Sequence, residues 1–153
     1  MKIFPWQKKK EFFNEEEKRQ LVAAIQQAER QTSGEVRLFI ESKCRFVDAL
    51  DRAKEIFFQL KMQATDQRNA TLIYVAVDDH QAAVFGDEGI HEKVGLKYWQ
   101  DEVEKMMIHF KNQHLADGIC QVVTDLGEAL RYYFPYNRDT DKNELPDEIV
   151  FGR

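Results

Sequence analysis

The run Leu72-Ile73-Tyr74-Val75-Ala76-Val77 is apolar at every position. A strand that is wet on one face alternates apolar and polar side chains, whereas an unbroken apolar run is covered on both faces. The run is also far short of the ~20 residues that a membrane-spanning helix needs. It is therefore predicted to be the inner strand of a sheet that carries helices on both sides. Downstream, Asp78-Asp79-His80 makes a tight polar turn, and Gln81 to Phe85 reads as its antiparallel hairpin partner. Upstream, Leu50, Ala53, Phe57 and Leu60 recur at steps of three and four, which predicts an amphipathic helix over about residues 47 to 62. Before that helix, Val36, Leu38 and Ile40 alternate with Glu35, Arg37 and Glu41, the two-residue period of a strand.

Those pieces make a βαβ unit, so strands 35–41 and 71–77 are expected to be parallel. Asn14 ahead of Glu15-Glu16-Glu17 is a helix start signal; Leu21, Val22, Ile25 and Ala28 continue that helix until Thr32-Ser33-Gly34. Two further helices are marked by Leu96, Trp99, Val103, Met106 and Phe110, then by Ile119, Val122, Leu126 and Leu130, with Pro135 as the stop. The predicted fold is an α/β, three-layer α/β/α sandwich with a small mixed sheet. The chain divides into a basic arm (1–11), one domain (12–135) and a polar tail (136–153).

Composition narrows the function classes. The chain has 153 residues, enough for one core without cross-links. Its 22 basic and 27 acidic residues leave a net charge of −5, which argues against nucleic acid as a partner. Cys44 and Cys120 have no second thiol or His at zinc-site spacing, and are expected to be free in a reduced compartment. The start of the sequence lacks an apolar stretch of signal length, so a cytoplasmic, monomeric protein that does not span a membrane is expected.

Chain direction then sorts the polar residues. The segments Gly34-Glu35, Asp66-Gln67-Arg68-Asn69 and Gly86-Asp87-Glu88-Gly89 fall at one end of the predicted sheet. Glu35, Asp66, Asp87 and Glu88 are thus candidate metal ligands, with Arg37, Arg68 and Asn69 in support. Carboxylates with an Asn carbonyl suit a hard divalent cation, calcium or magnesium. The alternative is a set of solvated acids at loop ends, some capping the helix before Ile90. Other motifs fail on chemistry. Gly86-x-x-Gly89 lacks the Lys of a phosphate loop, and His91-Glu92 lacks the second His of a zincin helix. Asp139-x-Asp141-x-Asn143 is followed by Glu144 and ends on Val150, where a calcium loop needs Gly and Glu.

Ser33-Gly34-Glu35-Val36-Arg37, Asp66 to Val75 and Phe85-Gly86-Asp87-Glu88-Gly89-Ile90 together resemble the TPM domain family. Trp99, Asp117-Gly118-Ile119 and the tail Asn143 to Gly152 fit the same resemblance, the tail being like that of short, soluble bacterial members. The resemblance implies an α/β/α sandwich, an acidic divalent-metal site with calcium as the usual ion, and phosphatase activity in some members. Others serve as accessory factors for assembling or repairing membrane complexes. The family's Asp-Asn-Gly ahead of the inner strand stands here as Arg68-Asn69-Ala70. Two functions follow as expectations: a metal-binding interaction module with a protein partner at the membrane, or a metal-dependent phosphatase in which a carboxylate activates water.

Overall fold

The computed structural model describes residues 12–45, 48–136 and 149–152. The N-terminal arm and the acidic stretch from Asp139 to Asn143 lie outside the described residues. Helix α1 (Glu15–Glu29) starts as its sequence dictates. The Asn14 side chain accepts from the Glu17 amide, and the Glu17 carboxylate accepts from the Asn14 amide. Strand β1 (Glu35–Glu41), helix α2 (Ala49–Gln59) and strand β2 (Ala70–Ala76) form the expected unit, followed by β3 (Gln81–Gly86). β1 and β2 are parallel from Glu35 opposite Ala70 to Glu41 opposite Ala76. β2 and β3 are antiparallel, with Thr71 opposite Gly86 and Ala76 opposite Gln81.

The sandwich is asymmetric. Val36, Leu38, Ile40, Ile73, Val75 and Val84 face a large core shared with α1, α4 (Leu96–Lys111) and α5 (Leu115–Tyr133). On the other face Phe39, Leu72, Tyr74 and Ala83 pack on Ala53, Ile56 and Phe57 of α2. Both β1 and β2 are buried along their whole length.

Four details differ from the sequence reading. The sheet has a fourth strand, β4 (Ile149–Phe151), parallel to β1 and lying inside the stretch expected to be a polar tail. Three residues are too few to show a period, although Ile-Val-Phe is good strand chemistry. A short helix, α3 (Glu88–Val94), precedes α4, and Gly95 between them takes a φ of 81°, where a side chain would be strained. The α2 helix is shorter than 47–62, starting after its Asp48 cap and closing at Leu60. Finally, the face of β1 that carries Glu35, Arg37 and Glu41 is not wet, because α2 lies over that side of the sheet.

Candidate functional site

The three predicted loops meet at the rim where β1 and β2 begin and β3 ends. Asp87 follows β3 directly and caps α3, its Oδ1 accepting from the Glu88 amide at 2.8 Å. Its own amide donates to the Ala70 carbonyl, which fixes it to the start of β2. The 66–69 loop packs against α3 through Gly89, whose amide donates to the Arg68 carbonyl. A Cβ on Gly89 would lie 2.1 Å from the Gln67 carbonyl oxygen, so only glycine permits this approach.

That approach delivers Arg68 to Asp87. The guanidinium donates from Nε to Oδ2 at 2.6 Å and from Nη2 to Oδ1 at 2.8 Å, a bidentate fork. Its Nη1 lies 3.2 Å from a carboxylate oxygen of Glu88. The side chain of Asp87 is almost fully buried, whereas Glu88 reaches into solvent. Asp87 foremost, then Glu88, raise the Arg68 pKa and hold it charged. Arg68 also adopts φ 51°, a left-handed conformation that costs a non-glycine residue roughly 1 kcal/mol. The chain tolerates that strain where it brings the guanidinium onto the carboxylate.

The other predicted residues do different work. Glu35 and Arg37 are buried on the α2 face of β1, and Asp66 sits exposed on its turn. Asn69 is buried and donates from Nδ2 to the Ser33 hydroxyl at 3.2 Å, tying the two strand starts together. Among the described residues, no three His, Cys, Asp or Glu side chains are grouped to hold a metal ion. The donor chemistry of the rim explains why it does not fit a divalent cation. A bound calcium sits about 2.3–2.6 Å from each oxygen. Here the guanidinium already occupies both oxygens of Asp87 and approaches Glu88. Arg68 supplies the positive charge that keeps these acids together.

The rim opens into a cleft of about 430 Å³ between α2, β3 and α4. Leu50, Phe58, Phe85 and Trp99 make it apolar, and Lys54, Arg68, Asp87, Glu88 and His91 supply polar groups. Trp99 donates its indole N–H to His91 Nδ1 at 2.9 Å, so a neutral His91 carries its proton on Nε2.

At the opposite sheet end the expected hairpin turn is present, and Asp79 accepts from the Cys44 amide at 2.7 Å. The sequence reading missed a buried cluster beside it. Arg52 donates to both oxygens of Glu41 at 2.9 and 3.0 Å and also pairs with Glu55; the Tyr74 hydroxyl donates to Glu41 as well. Burial, then the bond to Glu41, push the Tyr74 pKa far up, so it stays a neutral donor. The carboxyl end of parallel strands is where α/β sheets usually bind ligands. Here that end is filled by the Glu41–Arg52 pair. Neither Cys44 nor Cys120 is in a disulfide.

Another buried acid lies between α4 and α5. Glu102 is only 2% exposed and, with Asp125, takes bonds from Lys105 at 3.2 and 3.0 Å. Burial first, and then Asp125, push its pKa up to about 7. Its place on the inner stripe of α4, one turn before Met106, was the signal available in the sequence. No helix among the described residues is long and apolar enough to cross a membrane.

Comparison with known proteins agrees with this architecture. The NMR structure of the BA42 protein from the psychrophilic bacterium Bizionia argentinensis is similar over 95% of this chain and 99% of that one, with 38% identity and a TM-score of 0.85. The N-terminal domain of cg2496 from Corynebacterium glutamicum shares the fold, with a TM-score of 0.61 at 12% identity over 78% of this chain and 74% of that one. No curated protein matches the chain. A family model, the TPM domain, matches residues 7–129, and the chain belongs to that family.

Proposed function

We propose that this TPM domain works as a non-catalytic accessory module that binds a protein partner, rather than as a phosphatase. The observation that carries the reading is the bidentate Arg68–Asp87 contact at a buried carboxylate. A metal-assisted hydrolase needs acids free to hold the ion and one more to activate water. Asp87 has its oxygens on a guanidinium and on the α3 amide, so both are already engaged where an ion or an attacking water would need them. A divalent cation therefore has no part in the reading. The cleft beside the contact, with its aromatic floor and its edge of Lys54 and the Arg68–Asp87–Glu88 group, is the surface this module offers. A partner belonging to a membrane-associated or repair complex is in keeping with the accessory role that family resemblance implies.

The test is hydrolysis of p-nitrophenyl phosphate by the full chain with calcium, with magnesium and with EDTA. The expected rate equals that of buffer in all three. Metal-dependent turnover that Asp87→Asn abolishes would establish the phosphatase instead.

A further inference from the structure

Among the described residues β3 is the last strand of the sheet on its side, since the order is β3-β2-β1-β4. In an antiparallel pair, alternate residues turn their amide and carbonyl toward the neighbour and the rest turn theirs away. The Asp87 amide bonds the Ala70 carbonyl, which sets the phase: Phe85, Ala83 and Gln81 face β2. Ala82, Val84 and Gly86 then direct their main-chain groups away from β2, Ala82 half-buried and Val84 and Gly86 at the buried floor between α2 and α4.

Two cavities of about 430 and 290 Å³ run along that edge and share Leu50, Val84, Leu96 and Trp99. They form one groove. Its walls are two helical stripes at steps of three and four: Leu50, Lys54 and Phe58 on α2, and Leu96, Gln100 and Val103 on α4. Phe58 and Leu96 are 48% and 58% exposed, large apolar side chains left at the groove mouth. The groove also carries charge. Asp48 and Asp87 line it as the caps of α2 and α3, and Arg68 is committed to Asp87 and Glu88, whereas Lys54 lies over the Phe85 ring at 5.9 Å and makes no ion pair with a described residue.

We infer that the β3 edge is a docking groove for an extended peptide segment of a partner protein, one that carries apolar side chains and an acidic residue for Lys54. The inference rests on the binding-module reading and names the partner chemistry for the same cleft. Three features select this occupant. Unused strand hydrogen bonds favour an extended backbone over a helix. Apolar walls take alternate side chains of that backbone. An uncommitted ammonium at the mouth favours an acid over a base.

The experiment follows the amide signals of the full chain by NMR while adding acetyl-Val-Thr-Leu-Thr-Asp-amide. Matched controls are the same peptide ending in Lys and a version N-methylated at alternate residues. The acidic peptide is expected to shift Ala82, Val84, Gly86 and the Trp99 indole N–H. Lys54→Glu, an exposed substitution that leaves the core intact, is expected to weaken it about fivefold. The Lys-ended and N-methylated peptides are expected to bind more weakly than the acidic one. No shifts in the millimolar range, shifts elsewhere, or equal binding by the controls would overturn the inference. Phosphate-ester hydrolysis measured on the same samples separates the two claims. Peptide binding without charge or backbone preference sinks the groove alone, and turnover lost in Asp87→Asn sinks the module reading alone.

Discussion

Glu102→Gln is predicted to stabilise the protein above neutral pH and to do little in acid. The folded state holds the Glu102 pKa at about 7 against an ordinary value of 4.5, mainly because burial penalises its charge. A raised carboxyl pKa contributes to stability when protonated, so that contribution is complete below pH 4.5 and is lost as pH rises through 7. Each pH decade between the two values is worth 1.36 kcal/mol, which sets a ceiling of about 3 kcal/mol. The cavity beside Glu102 is open and Lys105 is half exposed, so solvent screening lowers this to about 2 kcal/mol. For a chain of this length that is a shift of roughly 4–8 °C in Tm. Thermal unfolding followed by circular dichroism, run for both proteins at about pH 4.5 and about pH 8, reads the difference directly. The variant should melt higher only at the upper pH. An equal offset at both pH values, or a variant that melts lower at the upper pH, would refute the assignment.

Two substitutions probe the other ends of the sheet. Gly89→Ala places a Cβ 2.1 Å from the Gln67 carbonyl oxygen and 2.6 Å from that of Arg68. It should cost about 1–3 kcal/mol in urea unfolding and loosen the Arg68 Nε–H signal that marks the contact with Asp87; unchanged stability and an unchanged signal would contradict the packing. Arg52→Met strands the buried Glu41 carboxylate and should cost about 3 kcal/mol, most of it recovered when Glu41→Gln is added. A double variant no more stable than the single one would count against the pair.

How the sequence reveals this fold depends on how many residues each element commits. The unbroken run from Leu72 to Val77 and the periodic stripes of α1, α4 and α5 announce themselves, because a whole face must be apolar to be buried. Three residues of β4 carry no period, and α3 shows only its cap. The rim was legible as a place, and Arg68 as a residue near its acids, but the contact between them was not. Chain direction brings Arg68, Asp87 and Glu88 together, yet whether acids share a metal or a guanidinium depends on loop geometry: the left-handed Arg68 and the close approach at Gly89. Glu41 and Arg52 are 11 residues apart on different elements, and only the packing of α2 on the sheet brings them together as a pair.

The measurement closest to the central claim is a calcium titration of the wild-type chain and of Arg68→Ser, followed through backbone amide signals. With the guanidinium in place, Arg68, Asp87, Glu88 and Gly89 should stay fixed through millimolar calcium, and they should move once Arg68 is gone. Calcium-dependent shifts of Glu35, Asp66, Asp87 and Glu88 in the wild type would mean that these acids hold a metal after all.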